Sequence, residues 1–138
     1  MVLTDTGFWL ALINKRDKHH DRAVAFMAAC REPLLTTWPV MTEACYLLGR
    51  DVSVESQMIF LQMLRHDMVD IADISTGQIV KMETLMQKYA DLPMDLADAS
   101  MVLLAEALGH GRILSTDQRD FNTYRWKNHQ PFENLLLP

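Results

Sequence analysis

Four acidic residues, Asp5, Glu43, Asp98 and Asp117, carry the chemistry legible in this 138-residue chain. Each stands beside an apolar run: Asp5 closes VLTD, Glu43 sits within TTWPVMTEACYLL, Asp98 within LADASMVLLAEAL, and Asp117 follows ILST. Carboxylates held close together repel, and burying one without a partner is costly or forces it to take a proton. A divalent cation resolves that conflict. Mg²⁺ takes oxygen ligands at roughly 2.0–2.1 Å, keeps several waters and bridges to phosphate. That combination suits metal-assisted hydrolysis of a phosphodiester, in which the ion generates a hydroxide and offsets charge on the attacked phosphate. Taken singly, each acid reads as well as a helix cap, a turn residue or a solvated side chain; only the four together point to a metal.

The elements that must position them can be read from periodicity. Val2–Asp5 reads as a short buried strand, followed by helical material broken near Lys15–His20, with Ala23, Phe26, Met27 and Cys30 at helix spacing. Pro33–Trp38 is a second strand, and Pro39 suits the first turn of a helix running to about Leu48. Ser53 can cap a further amphipathic helix. Val69–Ile74 is a third strand, and Thr76 to Ala90 is a helix. Asp95–Leu108 is another helix, ended by GHG. RILST is a fourth strand and Phe132–Leu136 a fifth. Strands alternating with helices predict one α/β domain over residues 1–138, built on a central, mostly parallel, twisted sheet. In such sheets ligands bind beyond the carboxyl ends of the strands, at the switch in strand order. Asp5, Glu43 and Asp117 all follow strands and can meet there. Asp98 has to reach the same edge from a crossover helix.

Composition bounds the alternatives. Hydrophobic content of 49% with 22% charged residues fits a globular chain with its own core. A net charge of −5 excludes a general nucleic-acid-coating protein, which would be basic, but leaves room for an acidic metal site with local basic patches. Cys30 and Cys45 have no metal-ligand spacing around them and read as small buried thiols. The opening MVLTDTGFW has no basic n-region, and no apolar run approaches the roughly 20 residues needed to span a bilayer. A cytoplasmic protein without membrane attachment is expected.

The segments VLTDTGFWLAL, TTWPVMTEACYLL, DLPMDLADASMVLLAEALG and ILSTDQRDFNTYR resemble, in order and spacing, the motifs of PIN-domain ribonucleases, and among those the VapC-type toxins of bacterial toxin–antitoxin pairs. The resemblance runs from Val2 to about Arg125. It implies a three-layer α/β/α sandwich and Mg²⁺- or Mn²⁺-dependent cleavage of RNA. It implies Asp5, Asp98 and Asp117 as metal-site carboxylates, with Glu43 as a further ligand or a group that orients water. It also implies a cognate antitoxin and a homodimer. Thr6 and Thr116 match small hydroxyl positions able to bond metal-bound water or phosphate. Gly7 stands where a serine is frequent, and Asp120 is a second acid that could take the role of Asp117. Asp95 could approach the site, but a first-turn acid is favoured by the helix dipole, and that role is the one expected of it.

Other features carry two readings each. Asn14–Arg22, NKRDKHHDR, is either a phosphate-contacting loop or a solvated connector. His19 and His20 are adjacent, poor spacing for a zinc site. Tyr124 and Trp126, close to Arg119, Arg125 and Lys127, could stack on a splayed RNA base or pack a C-terminal segment against the sheet. Trp9 reads as core. The helically spaced Met58, Met63, Met82, Met86 and Met101 read mostly as core, with some available for a protein-binding groove. A phosphoryl-accepting receiver domain would need a lysine after the last strand, which HQPFENLLLP lacks, and a haloacid-dehalogenase-type phosphatase would need an acid at Gly7. The remaining rivals are a catalytically silent PIN-like scaffold and a structure-specific DNA nuclease.

Overall fold

The computed structural model describes Met1–Pro138. Four of the five strands of the main sheet were expected near where they stand: β1 (Val2–Thr4), β2 (Leu34–Thr37), β3 (Asp70–Ala72) and β4 (Arg112–Leu114). The remaining strand, Glu133–Asn134 (β7), falls inside the expected fifth segment. All pair in parallel, in the order β3-β2-β1-β4-β7. Strands β1 and β2 are buried along their whole length, as parallel strands covered on both faces must be.

The chain leaves β1 through α1 (Thr6–Ile13) and α2 (His20–Ala29), and leaves β2 through α3 (Trp38–Asp51) and α4 (Val54–Arg65). It leaves β3 through a 3₁₀ turn (Thr76–Gln78), α5 (Ile79–Lys88) and α6 (Leu96–Leu108). The first two crossovers step one way across the sheet and the third steps back past β1. Right-handed connections therefore set α1–α4 on one face and α5–α6 on the other, giving an α/β/α sandwich. The order reverses between β1 and β4, so the carboxyl ends of those two strands form the switch point.

Local chemistry fixes the helix starts at that edge. The Thr37 hydroxyl accepts from the Val40 amide at 3.4 Å to cap α3, with Pro39 in the first turn. Asp95 caps α6 by accepting from the Asp98 amide at 2.8 Å, and Asp98 returns the contact to the Asp95 amide at 3.4 Å. The hydroxyls of Thr37 and Ser100, 2.7 Å apart, tie the end of β2 to α6. Gly109 closes α6 at φ +77°, a left-handed position that favours glycine. At the opposite edge, Arg112 makes a two-pronged contact with Glu32 at 2.6 and 2.8 Å.

Two elements were not expected: α7 (Gln118–Thr123), and an antiparallel hairpin of β5 (Arg125–Trp126) and β6 (Gln130–Pro131). Trp9 is fully buried, as expected, and its indole donates to Thr4 Oγ1 at 3.2 Å. Met82 and Met101 are core, Met63 and Met86 pack against it, and Met58 is exposed. Cys30 and Cys45 are only half-buried free thiols, a correction to the buried placement expected for them; Cys30 sits where α2 ends. No helix is long and apolar enough to cross a membrane.

Candidate active site

Asp5 is delivered to the switch point by the sheet itself. Its amide continues the β1–β4 ladder by donating to the Leu114 carbonyl at 3.0 Å, and α1 starts at the next residue. The side chain is 5% exposed and does not cap α1, so it is free to face the edge. Its Oδ2 accepts from the Ser115 hydroxyl at 3.0 Å, and Ser115 Oγ accepts in turn from the Asp117 amide at 3.0 Å. Ser115 thus joins the ends of β1 and β4. Burial pushes the Asp5 carboxyl from 3.8 up to about 7; the Thr6 amide and the Ser115 hydroxyl oppose the rise, while Glu43 and Asp95 add repulsion.

Asp98 reaches the same place from the first turn of α6. Its Oδ2 accepts from the Tyr124 hydroxyl at 2.9 Å. The Tyr124 ring is fully buried, edge-on to Tyr89 and Phe121 at centroid distances of 5.0 and 5.2 Å, so the hydroxyl has little freedom. Burial first, then the charges of Asp5 and Asp95, raise the Asp98 carboxyl from 3.8 to about 8, against the Tyr124 hydroxyl and the Asp95 amide. Burial and the adjoining Asp98 push the Tyr124 phenol well above its usual range, so it remains a donor.

Glu43 comes from the second turn of α3. Burial raises its carboxyl, the neighbouring Thr6 hydroxyl opposes, and Asp95 raises it further. Thr6 Oγ1 is itself buried and, apart from this influence on Glu43, has no hydrogen-bond partner. Asp5, Glu43 and Asp98 are thus brought together, with Asp95 pressing on all three. Asp95 both caps α6, as expected of a first-turn acid, and belongs to this acidic field.

Asp117 stands one step aside. It caps α7 by accepting from the Asp120 amide at 3.2 Å, and its carboxyl is raised by burial and by Asp120. Asp120 is 5% exposed and accepts from Arg119 Nε at 2.9 Å, which already gives it a cationic partner. Thr116 lies next to Asp117, and its side chain fills the space over Gly7: a Cβ at Gly7 would meet Thr116 Oγ1 at 1.9 Å. The hydroxyl that a serine at position 7 would bring is thus replaced in space by that of Thr116. No three Asp, Glu, His or Cys side chains stand near enough to enclose an ion on their own. The donors are nevertheless of the right kind: hard carboxyl oxygens that raise one another's proton affinity, beside a buried hydroxyl.

The basic run Lys15–Lys18 does not share this edge. It follows α1, whose first turn is at Asp5, and so lies at the helix's other end, where Asn14 and Asp17 accept from the Arg16 and His19 amides at 3.1 and 2.8 Å. That favours the connector reading. Tyr124 is a buried support for Asp98, not a stacking platform, and Trp126 donates to the Pro131 carbonyl at 3.0 Å within the hairpin. Ser115 and Tyr124 are the supporting residues that the sequence did not assign. A cleft of about 560 Å³ opens beside the acids, lined by Trp38, Thr42, Glu43, Tyr46, Asp95 and Leu96 among others.

With this geometry in view, the PIN domain family model matches residues 2–127. The chain belongs to the PIN-domain family. It is 25% identical over 124 residues to Ribonuclease VapC26 of Mycobacterium tuberculosis (strain ATCC 25618 / H37Rv), covering 90% of this chain and 92% of that protein. Its fold matches the crystal structure of Mycobacterium tuberculosis VapC20, a Sarcin-Ricin loop cleaving toxin, with a TM-score of 0.79 at 18% identity, over 86% of this chain and 92% of that one. The parallel order β3-β2-β1-β4-β7 is therefore the fold of this PIN-domain chain.

Proposed function

We propose that this PIN-domain protein is a metal-dependent endoribonuclease acting as the toxin of a toxin–antitoxin pair. The observation that carries the reading is the convergence of the Asp5 and Asp98 carboxyls, one buried and one half-buried, at the β1–β4 switch point, where Ser115 and Tyr124 hold them and the charge of Asp5 raises the affinity of Asp98 for a proton. Stability alone gives no reason to crowd them there without a cationic partner. A divalent cation resolves their repulsion, and Mg²⁺ or Mn²⁺ suits their oxygen donors. Similarity to VapC26, a ribonuclease, supports RNA as the substrate.

In this reading Asp5, Asp98 and Asp117 hold the cation, with Glu43 as a further ligand or as the acceptor that orients the attacking water. When bound, the ion supplies Lewis acidity that polarises a phosphoryl oxygen and lowers the pKa of water. Ser115 keeps Asp5 turned to the edge, and Tyr124 keeps Asp98 aligned. Burial raises the Glu43 carboxyl above its ordinary value, which makes it a better acceptor for a proton from the attacking water. The buried Thr6 hydroxyl and that of Thr116 bond the scissile phosphate or its water. Asp120 is engaged by Arg119, leaving the fourth acidic role to Asp117, whose side chain also caps α7.

A cognate antitoxin and a second copy of the chain are the protein partners of this reading. Exposed apolar side chains support such partners: Val54, Met58, Ile59 and Leu61 on α4, and Ile79 and Val80 on α5. The cytoplasm is the compartment where both RNA and antitoxin would be met.

The test is incubation of purified, partner-free protein with mixed cellular RNA and with DNA of matched lengths, plus Mg²⁺ or Mn²⁺, beside EDTA and Asp5→Asn controls. Discrete RNA fragments that vanish in both controls are expected. Cutting of DNA in preference to RNA would replace the substrate. No cutting of either by folded protein would leave a PIN-like binding module.

A further inference from the structure

The outer face of α3 carries an exposed row with no structural explanation. Trp38, Thr42, Tyr46 and Arg50 recur every fourth residue, so they share one strip of the helix, spanning about 18 Å along its axis. All four are exposed, whereas Val40, Met41, Ala44 and Leu48 turn inward. Trp38 is 54% and Tyr46 62% exposed. The other tryptophans behave differently: Trp9 is fully buried and Trp126 is half-buried with its indole bonded. Two large rings are thus left in water when the same chain buries comparable ones.

Position gives the row a purpose. Trp38 and Tyr46 line the same cleft of about 560 Å³ as the carboxylates Glu43 and Asp95. Thr42, between the rings, folds its hydroxyl back onto the Trp38 carbonyl at 3.0 Å, leaving a low saddle between two flat surfaces. At the far end, the Arg50 guanidinium stands 5.8 Å from the Tyr46 ring centroid. Its ion pair with Asp51 is between two exposed groups, so a phosphate can share the guanidinium at small cost.

Resting on the ribonuclease reading above, we infer that Trp38, Thr42, Tyr46 and Arg50 form a track for the single-stranded RNA flanking the cleaved bond. Bases stack on Trp38 and Tyr46, and Arg50 meets one phosphate. Aromatic faces accept any base, so the track selects unpaired RNA over helical RNA and is tolerant of sequence. The chain's charge of −5 makes stacking the necessary source of affinity, since the cleft beside the acids repels phosphate. With a single cation in the row, binding weakens only gently with salt, at a log–log slope near −0.7.

The experiment titrates a fluorescently labelled single-stranded RNA oligomer into full-length Asp98→Asn protein, alone and with Trp38→Ala, Tyr46→Ala or Arg50→Gln added. Steady-state cleavage by the same three substitutions in the active chain runs alongside. Each ring removal is expected to weaken binding about tenfold and to raise KM, not lower kcat, with Trp38→Phe retaining most of the affinity. Arg50→Gln flattens the salt slope. Size-exclusion chromatography of every variant decides the rival occupant. Unchanged oligomer binding on loss of both rings overturns the track. So does loss of binding accompanied by dissociation of a dimer, because the row would then be an interface between copies. If the wild type cleaves no RNA, the nuclease reading fails on its own, and the oligomer titration still decides whether RNA follows α3.

Discussion

Replacing Tyr124 by Phe removes one oxygen and nothing else from the support of Asp98. The phenylalanine ring keeps the edge-on contacts with Tyr89 and Phe121, at 5.0 and 5.2 Å, and the site is fully buried, so the fold stays intact. What disappears is the donor 2.9 Å from Asp98 Oδ2. A hydrogen bond to a charged group contributes about 1.5–3 kcal/mol, and its loss from the aligned carboxylate corresponds to roughly a 10- to 150-fold fall in kcat/KM. The direction of the pKa change adds to this. The Tyr124 hydroxyl is among the influences that lower the Asp98 carboxyl, so removing it lifts that group further above about 8 in the cation-free protein. More cation, or a higher pH, is then needed to displace the proton. The assay is cleavage of a fixed RNA across Mn²⁺ concentration and pH, for wild type and Tyr124→Phe. The account expects a lower kcat/KM, a right-shifted Mn²⁺ curve and an acidic limb moved to higher pH. Rates within twofold of wild type, with an unmoved Mn²⁺ curve, would refute the positioning role of Tyr124.

The same geometry makes further outcomes measurable. A carboxyl raised on folding binds a proton more tightly in the folded state, so its effect on stability is neutral below the unfolded pKa and becomes a penalty as pH climbs to the folded value. For Asp5 that window runs from 3.8 to about 7 and for Asp98 from 3.8 to about 8. Cation-free protein should therefore melt lower at pH 8 than at pH 5, with buried Asp5 alone accounting for a change of roughly 2–3 kcal/mol between those two pH values. Asp5→Asn should flatten that dependence, and equal wild-type and variant slopes in a melting series would count against it. Gly7→Ala places a Cβ 1.9 Å from Thr116 Oγ1 and should destabilise by about 1–3 kcal/mol, and adding Thr116→Ala should recover most of the loss in denaturant titration. Ser115→Ala removes the bridge between Asp5 and the Asp117 amide and should lower kcat/KM about tenfold without dissociating the fold, checked by cleavage and circular dichroism.

The parts legible in the sequence were those set by pattern. Alternation of apolar runs with helical periods gave the parallel sheet, and strand ends pointed to Asp5, Glu43 and Asp117 at one edge, with Asp98 reaching it from a crossover helix. The structure brings Asp5, Glu43 and Asp98 together and sets Asp117 one step aside. The hairpin β5–β6 escaped because its turn places Lys127 and Asn128 at φ 48° and 66° without the glycine that signals such a turn. Helix α7 escaped because six residues carry too little periodicity. Ser115 was hidden in LSTD, where any of three polar residues could bridge strands. Tyr124 was ambiguous for a different reason: an aromatic near basic residues reads as a stacking surface until packing decides which face is covered. Trp38 and Tyr46 drew no assignment, because they sit in an otherwise apolar helix with nothing in the spacing to mark an outward face. Only burial distinguishes an exposed row from an inward one when both follow the same period.

The central claim is that the Asp5 and Asp98 carboxyls at the β1–β4 switch point hold a cation on which RNA cleavage depends. Single-turnover cleavage of one defined RNA by wild type and Asp98→Asn, across a Mn²⁺ titration, tests it most directly. The amide keeps the shape of the side chain and can still accept from Tyr124, so the variant should fold and melt at or above the wild-type temperature. The account predicts a loss of at least roughly 10³-fold that no Mn²⁺ concentration restores. Cleavage by Asp98→Asn at the native rate would contradict it.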